Sequence, residues 1–233
     1  FFNFLSKKAK KNKINITSFS FKKNSDIFLL GIKKIKNYYQ LKINLKNNLF
    51  YFNVSQNTNN FISNILACIS VLSVLNIDLN SMKFSLINFN IPNGRGDIKL
   101  VKKFKKRFKF IDESYNANPL SMVSAINNMN HYESKNNAKK YIFLGDMLEL
   151  GSKSRKFHKK ISNVINKSDI DQVFVYGKFI KETFHFLSKG KKGKIFNNLN
   201  DAYKHLSKIL NNNDLLMIKG SNATGLNKFS KNI

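Results

Sequence analysis

Along the first part of the chain, apolar residues come in short runs rich in β-branched and aromatic types. These runs, at residues 14–20, 27–35, 39–45 and 49–55, predict strands. The Lys46-Asn47-Asn48 step between the last two predicts a hairpin turn. Residues 60–76 then read as a helix, and a second is expected from Leu79 to Asn88. Gly94-Arg95-Gly96, behind Pro92, breaks this pattern and marks a domain boundary. The expected domains are therefore 1–95 and 96–233.

Beyond the boundary the pattern alternates regularly. Strand-like runs at 108–112, 141–145, 173–177, 194–196 and 215–220 are separated by helical periodicity at 119–130, 154–166, 179–188 and 201–210. A short last helix starts at Leu226. Pro119 behind Asn118 is a first-turn proline behind an N-cap residue, and Asn200 reads as the cap of a later helix. Strands alternating with helices predict an α/β fold, a Rossmann-like parallel sheet flanked by helices. Ligands of such sheets sit at the C-terminal ends of the strands.

The formal charge of +28 invites a nucleic-acid partner. The lysines are nevertheless scattered among Asn, Ile and Phe, which are all residues of A/T-rich codons, so codon bias accounts for them without a partner. Only KKAKKNK (7–13) and KKFKKRFK (102–109) are dense clusters. A single cysteine, Cys68, excludes an intramolecular disulfide. The apolar run around it, 62–75, is shorter than the roughly 20 residues a bilayer span needs. The opening Phe1-Phe2-Asn3-Phe4 reads as the middle of a folded element, so a missing front end is expected.

Four short motifs fall where such a sheet would bind ligands. IDESYNANP (111–119) crowds Asp112, Glu113, Tyr115, Asn116 and Asn118 into one strand-to-helix turn, more polar groups than helix capping requires. LGDMLELG (144–151) offers Asp146 and Glu149 after the next strand; His158, further on, reads as an ordinary amphipathic-helix residue. IKGSN (218–222) brings Lys219 and Ser221 to the end of the last strong strand. NGRG (93–96) sets Arg95, a preferred partner of phosphate oxygens, between two glycines. No phosphate-binding GxxxxGK[ST] loop and no metal-ligand spacing occurs in the sequence.

Taken together, IDESYNANPLSM, LGDMLELGSKSRKFH, MIKGSN, NGRG and NNFISNILACISVL resemble the Mur ligase family, in particular its D-alanyl-D-alanine-adding branch. The resemblance implies the last part of a P-loop-type central ATPase domain followed by the C-terminal domain. It implies an ADP-forming ligase that joins D-alanyl-D-alanine to UDP-N-acetylmuramoyl-tripeptide through an acyl phosphate, with ATP and Mg2+. It further implies a cytoplasmic monomer with neither nucleic acid nor membrane as partner. Carried over by position, Asn60, Asn64, Arg95, Asp112 and Tyr115 would contact the nucleotide, Arg95 and Asp112 catalytically. Those two are expected on opposite sides of a hinge. Asn116, Asn118, Asp146, Glu149, Lys219 and Ser221 would line the side where dipeptide and acceptor meet; no metal ligand is expected here.

Asn60 and Thr58 stand where the family pattern has His and Gly. A non-catalytic or different-specificity Mur-type ligase and a basic nucleic-acid-binding module are therefore the competing readings. Without a phosphate-binding loop the fragment alone is expected to be inactive.

Overall fold

The apolar runs of the first part of the chain become a four-stranded sheet in the computed structural model, which describes residues 2–55, 61–132 and 138–233. After a basic helix α1 (Phe2–Lys11) come β1 (Phe19–Ser20), β2 (Ile27–Ile35), β3 (Tyr38–Leu45) and β4 (Asn48–Ser55), then α2 (Ile62–Val74). β2, β3 and β4 are antiparallel, and β1 adds to β2 in parallel. Lys46 and Asn47 both adopt left-handed backbone (φ +47° and +71°), the two-residue turn whose twist matches its strands. Leu41, Ile43, Phe52 and Val54 from the sheet bury against Ile62, Leu66 and Ile69 of α2.

Two expectations for this part are corrected. The strand foreseen at 14–20 narrows to Phe19–Ser20. The helix foreseen from Leu79 to Asn88 is a run of turns lying along β4. There the Asn53 N–H donates to the Lys83 carbonyl and the Ser55 N–H to the Leu86 carbonyl. Those carbonyls serve the strand edge instead of a helix ladder. Thr58 and Asn60 lie outside the described residues.

The chain divides into two compact units, Phe1–Ile91 and Pro92–Ile233. The second unit begins with a hairpin of β5 (Asp97–Lys103) and β6 (Lys106–Glu113). Then follow α3 (Pro119–Asn130), β7 (Lys140–Gly145), α4 (Ser154–Asn166), β8 (Gln172–Tyr176), α5 (Lys181–His185), β9 (Lys192–Phe196), α6 (Leu199–Ile209), β10 (Leu215–Lys219) and α7 (Leu226–Ser230). The sheet runs in the order β5-β6-β10-β7-β8-β9, parallel throughout except for the β5 edge. β7 and β10 are buried along their whole length, as interior parallel strands covered on both faces must be.

Side chains of alternate parity build two cores. Ile142, Leu144, Val175 and Met217 pack with Met122 and Ile126 of α3 and with Ile161 and Ile165 of α4. Phe143, Phe174 and Ile218 pack with Leu206 of α6 and with Leu226 and Phe229 of α7. The α/β arrangement read from the alternation is the one observed. β5 was not foreseen: the basic stretch 102–109 is the tip of a hairpin, with Phe104 and Lys105 left-handed at its turn. The helix foreseen at 179–188 is only α5, and the cap of α6 is Asn198 rather than Asn200. Among the described residues, no helix is long and apolar enough to cross a membrane.

Candidate functional site

β10 is the strand that gathers the motifs. It pairs in parallel with β6 on one side and β7 on the other, so Lys219 lies opposite both Glu113 and Leu144. Three loops far apart in sequence therefore leave the sheet side by side at its carboxyl edge. This is the topological switch point of the doubly wound sheet, where ligands collect.

The turn after β6 is tightly cross-braced. The Ser114 N–H and hydroxyl donate to Asp112 Oδ1 (3.0 and 2.5 Å), and the Ser230 hydroxyl donates to Oδ2 (3.0 Å). Oδ1 thus closes the turn on itself, and Oδ2 fastens it to α7. The Gly94–Gly96 segment arches over the same turn: the Gly96 N–H donates to the Asp112 carbonyl and the Tyr115 N–H to the Gly94 carbonyl. Gly94 has φ +79°, and a Cβ there would lie 2.9 Å from Tyr115 Cβ, so only glycine fits this arch. Arg95 at its crest places its guanidinium 4.2 Å from the Tyr115 ring centroid. Arg95 and Asp112 lie in the same compact unit, Arg95 on the arch and Asp112 in the turn beneath it.

Lys219 is 1% exposed; its ammonium donates to Glu113 (3.0 Å) and to the Asn116 carbonyl (3.1 Å). Its charge is spent inside the protein. Asn118 caps α3 by accepting from the Ser121 N–H, while the Ser121 hydroxyl accepts from the Asn118 N–H. Asp146 is 7% exposed and accepts the N–H groups of Lys178, Phe179 and Ile180. Its carboxylate holds the neighbouring loop, and Asp146 is not among the residues lining the pocket described below. Asn64 belongs to the first unit, on an exposed position of α2.

Sequence reasoning undervalued His158. It is fully buried in the apolar stripe of α4, on the face that carries Ser154 and Ile161. Its Nε2 accepts from the Met147 N–H (2.9 Å), and its Nδ1 faces the Ser154 carbonyl at 2.8 Å. Such partners require a neutral ring with its proton on Nδ1. Burial lowers its pKa below 6.5, against smaller opposing effects of the Ser154 carbonyl, Asp146 and Glu182. His158 is the pin of the 146–149 loop. A histidine inside an apolar helical stripe was the signal that could have found it.

The three loops enclose an open pocket of about 620 Å³. Tyr115 and Asn116 come from the turn after β6, and Leu148 and Glu149 from the loop after β7. Ser221, Asn222, Asn227 and Lys228 complete it from the segment after β10; the last three were not foreseen. The Ser221 hydroxyl accepts from the Leu148 N–H (3.0 Å) and donates to the Ala117 carbonyl (3.4 Å), tying all three loops together. Glu149 is exposed and held left-handed at φ +62°. Among the described residues, no group of three or more His, Cys, Asp or Glu is arranged to hold a metal ion.

The sequence model of the family described as "Mur ligase, glutamate ligase domain" matches residues 98–222. A UDP-N-acetylmuramoyl-tripeptide–D-alanyl-D-alanine ligase of Buchnera aphidicola subsp. Baizongia pistaciae is 34% identical, over 94% of this chain and 46% of the relative. The ligase of that name from Rickettsia prowazekii is 24% identical, over 92% of this chain and 46% of its own length. The chain thus spans about half the length of these relatives. Among solved structures, the MurF ligase of Thermotoga maritima in complex with ADP superposes with a TM-score of 0.70 at 22% identity, over 97% of this chain and 50% of that one. A MurF from Acinetobacter baumannii superposes with a TM-score of 0.74 at 17% identity, over 98% of this chain and 49% of that one.

Proposed function

This chain belongs to the Mur ligase family, and from that membership we propose that it is the C-terminal part of an ATP-dependent ligase adding D-alanyl-D-alanine to UDP-N-acetylmuramoyl-tripeptide. The observation that carries the reading is the convergence of the SYNAN, LGDMLELG and KGSN loops on one pocket at the switch point.

In the proposed reaction the terminal carboxylate of the tripeptide attacks the γ-phosphorus of ATP, giving an acyl phosphate and ADP. The dipeptide amine then adds to the acyl carbon, and the tetrahedral intermediate collapses with loss of phosphate. Mg2+ would neutralise the phosphates, and we assign no ligand of it to this chain. Catalysis of this kind is mostly positioning and charge stabilisation.

Arg95 is the residue assigned to the phosphates, because it is exposed and braced by Tyr115, with no acid paired to it among the described residues. Asp112 is assigned a positioning part on the nucleotide side through the turn it fastens. Asn60 and Asn64 are kept as nucleotide contacts on the resemblance alone. Asn116, Glu149 and Ser221 are assigned to the dipeptide pocket. Lys219, Asn118 and Asp146 are assigned to holding its walls. A monomer working in the cytoplasm, where nucleotide-linked precursors are found, completes the proposal.

The test is phosphate release by the full-length protein with magnesium-ATP, UDP-linked tripeptide and D-alanyl-D-alanine, each omitted in turn. Release that requires all of them supports the ligase. ATP left untouched, with oligonucleotide binding that weakens steeply with salt, would favour the basic nucleic-acid module instead.

A further inference from the structure

We propose that the pocket grips a zwitterion by both ends, Lys228 receiving its carboxylate and Glu149 its ammonium group. The inference rests on the ligase reading for the identity of that zwitterion, the dipeptide D-alanyl-D-alanine.

Glu149 and Lys228 are the two charged residues in the pocket lining, one of each sign, and they come from different walls. Glu149 stands in the loop after β7, and Lys228 in α7 beyond the loop after β10. Among the described residues neither charge has an ion-pair partner, whereas the buried Lys219 is paired with the partly exposed Glu113. Two unpaired opposite charges facing one cavity suit a ligand that carries both.

Lys219 is the cation that the KGSN motif would nominate for an anion, yet it is buried and committed to Glu113 and the Asn116 carbonyl. A carboxylate entering the pocket therefore needs another cation, and Lys228 lines the pocket with its charge free. Glu149 stands exposed at the left-handed turn of its loop, with φ +62°. Asn116 and Asn222 line the same pocket and add neutral amides of the kind that meet a peptide bond.

The experiment compares D-alanyl-D-alanine with its C-terminal carboxamide as substrates of the full-length enzyme, by phosphate release. The wild type is expected to show a KM about tenfold lower for the free carboxylate, the value of one charge-assisted hydrogen bond at an open site. Lys228→Gln should raise the dipeptide KM about tenfold without a matching rise for the amide, and Lys228→Arg should restore the preference. Equal rises for both substrates, or no change, would overturn the assignment of Lys228 while leaving the ligase intact. Phosphate release by the wild type that ignores the dipeptide would instead overturn the ligase reading and this inference with it.

Discussion

The guanidinium of Arg95 lies over the ring of Tyr115, 4.2 Å from its centroid, on an arch that Gly94 and Gly96 bend in left-handed conformations. The ring is half exposed, so the contact is worth only about 0.5–1 kcal/mol to the fold. Its larger effect is to aim the cation. Tyr115→Ala is expected to cost less than about 1 kcal/mol in stability. In the full-length enzyme it should raise the KM for ATP several-fold. Gly94→Ala should cost more stability than Tyr115→Ala, because it strains φ and collides with Tyr115. Urea unfolding beside ATP titration separates the two effects.

Glu113 and Lys219 form a pair at 3.0 Å in which the lysine is buried and the acid partly exposed. Removing the acid strands a buried ammonium. Glu113→Ala should therefore destabilise the protein by about 3 kcal/mol. Lys219→Met should cost less, since Glu113 can turn to water. The double variant should fall well short of the sum of the two, and a double-mutant cycle on unfolding free energies measures that shortfall.

His158 and His205 both have pKa values lowered from 6.5, each chiefly by burial; Lys194 and Lys208 add repulsion at His205. An unfolded histidine takes up a proton near pH 6.5, and the folded one resists it. The stability these two contribute is therefore complete above that pH and is lost as pH falls through 6.5 toward their lowered folded values. Thermal unfolding should shift downward between pH 7 and pH 5. In a His158→Gln/His205→Gln variant the shift over this interval should shrink, and an unchanged pH slope would assign the effect elsewhere.

The hairpin tip joins like charges directly across its strands, Lys102 opposite Arg107 and Lys103 opposite Lys106. Facing cations destabilise a ladder by a few tenths of a kcal/mol each. Lys103→Glu should raise stability by about 0.5 kcal/mol at low ionic strength. The gain should disappear at about 1 M salt, where screening acts over only about 3 Å.

Much of the fold is legible in the sequence where local and tertiary demands agree. α3 and α4 span the residues their periodicity marks, because each presents one apolar stripe and α3 carries its own cap, Asn118. The interior strands β7 and β10 announce themselves as unbroken apolar runs. β5 was hidden because an edge strand buries little: its lysines face water on both sides, and nothing distinguishes them from a solvated charge cluster. The 79–88 stretch has helical spacing, but the edge of β4 claimed its carbonyls.

The candidate site divides along the same line. The sequence by itself determined which residues stand at the ends of strands and which motifs are too polar for plain turns, since these depend on neighbours a few positions away. Only the tertiary structure decided that β10 inserts between β6 and β7, bringing Lys219 beside Glu113 across about a hundred residues of chain. That pairing neutralises the lysine the motif put forward and leaves Lys228 and Glu149 as the free charges at the pocket. The reason is physical: whether a side chain is free to meet a ligand depends on which partners reach it first, and those partners come from other strands.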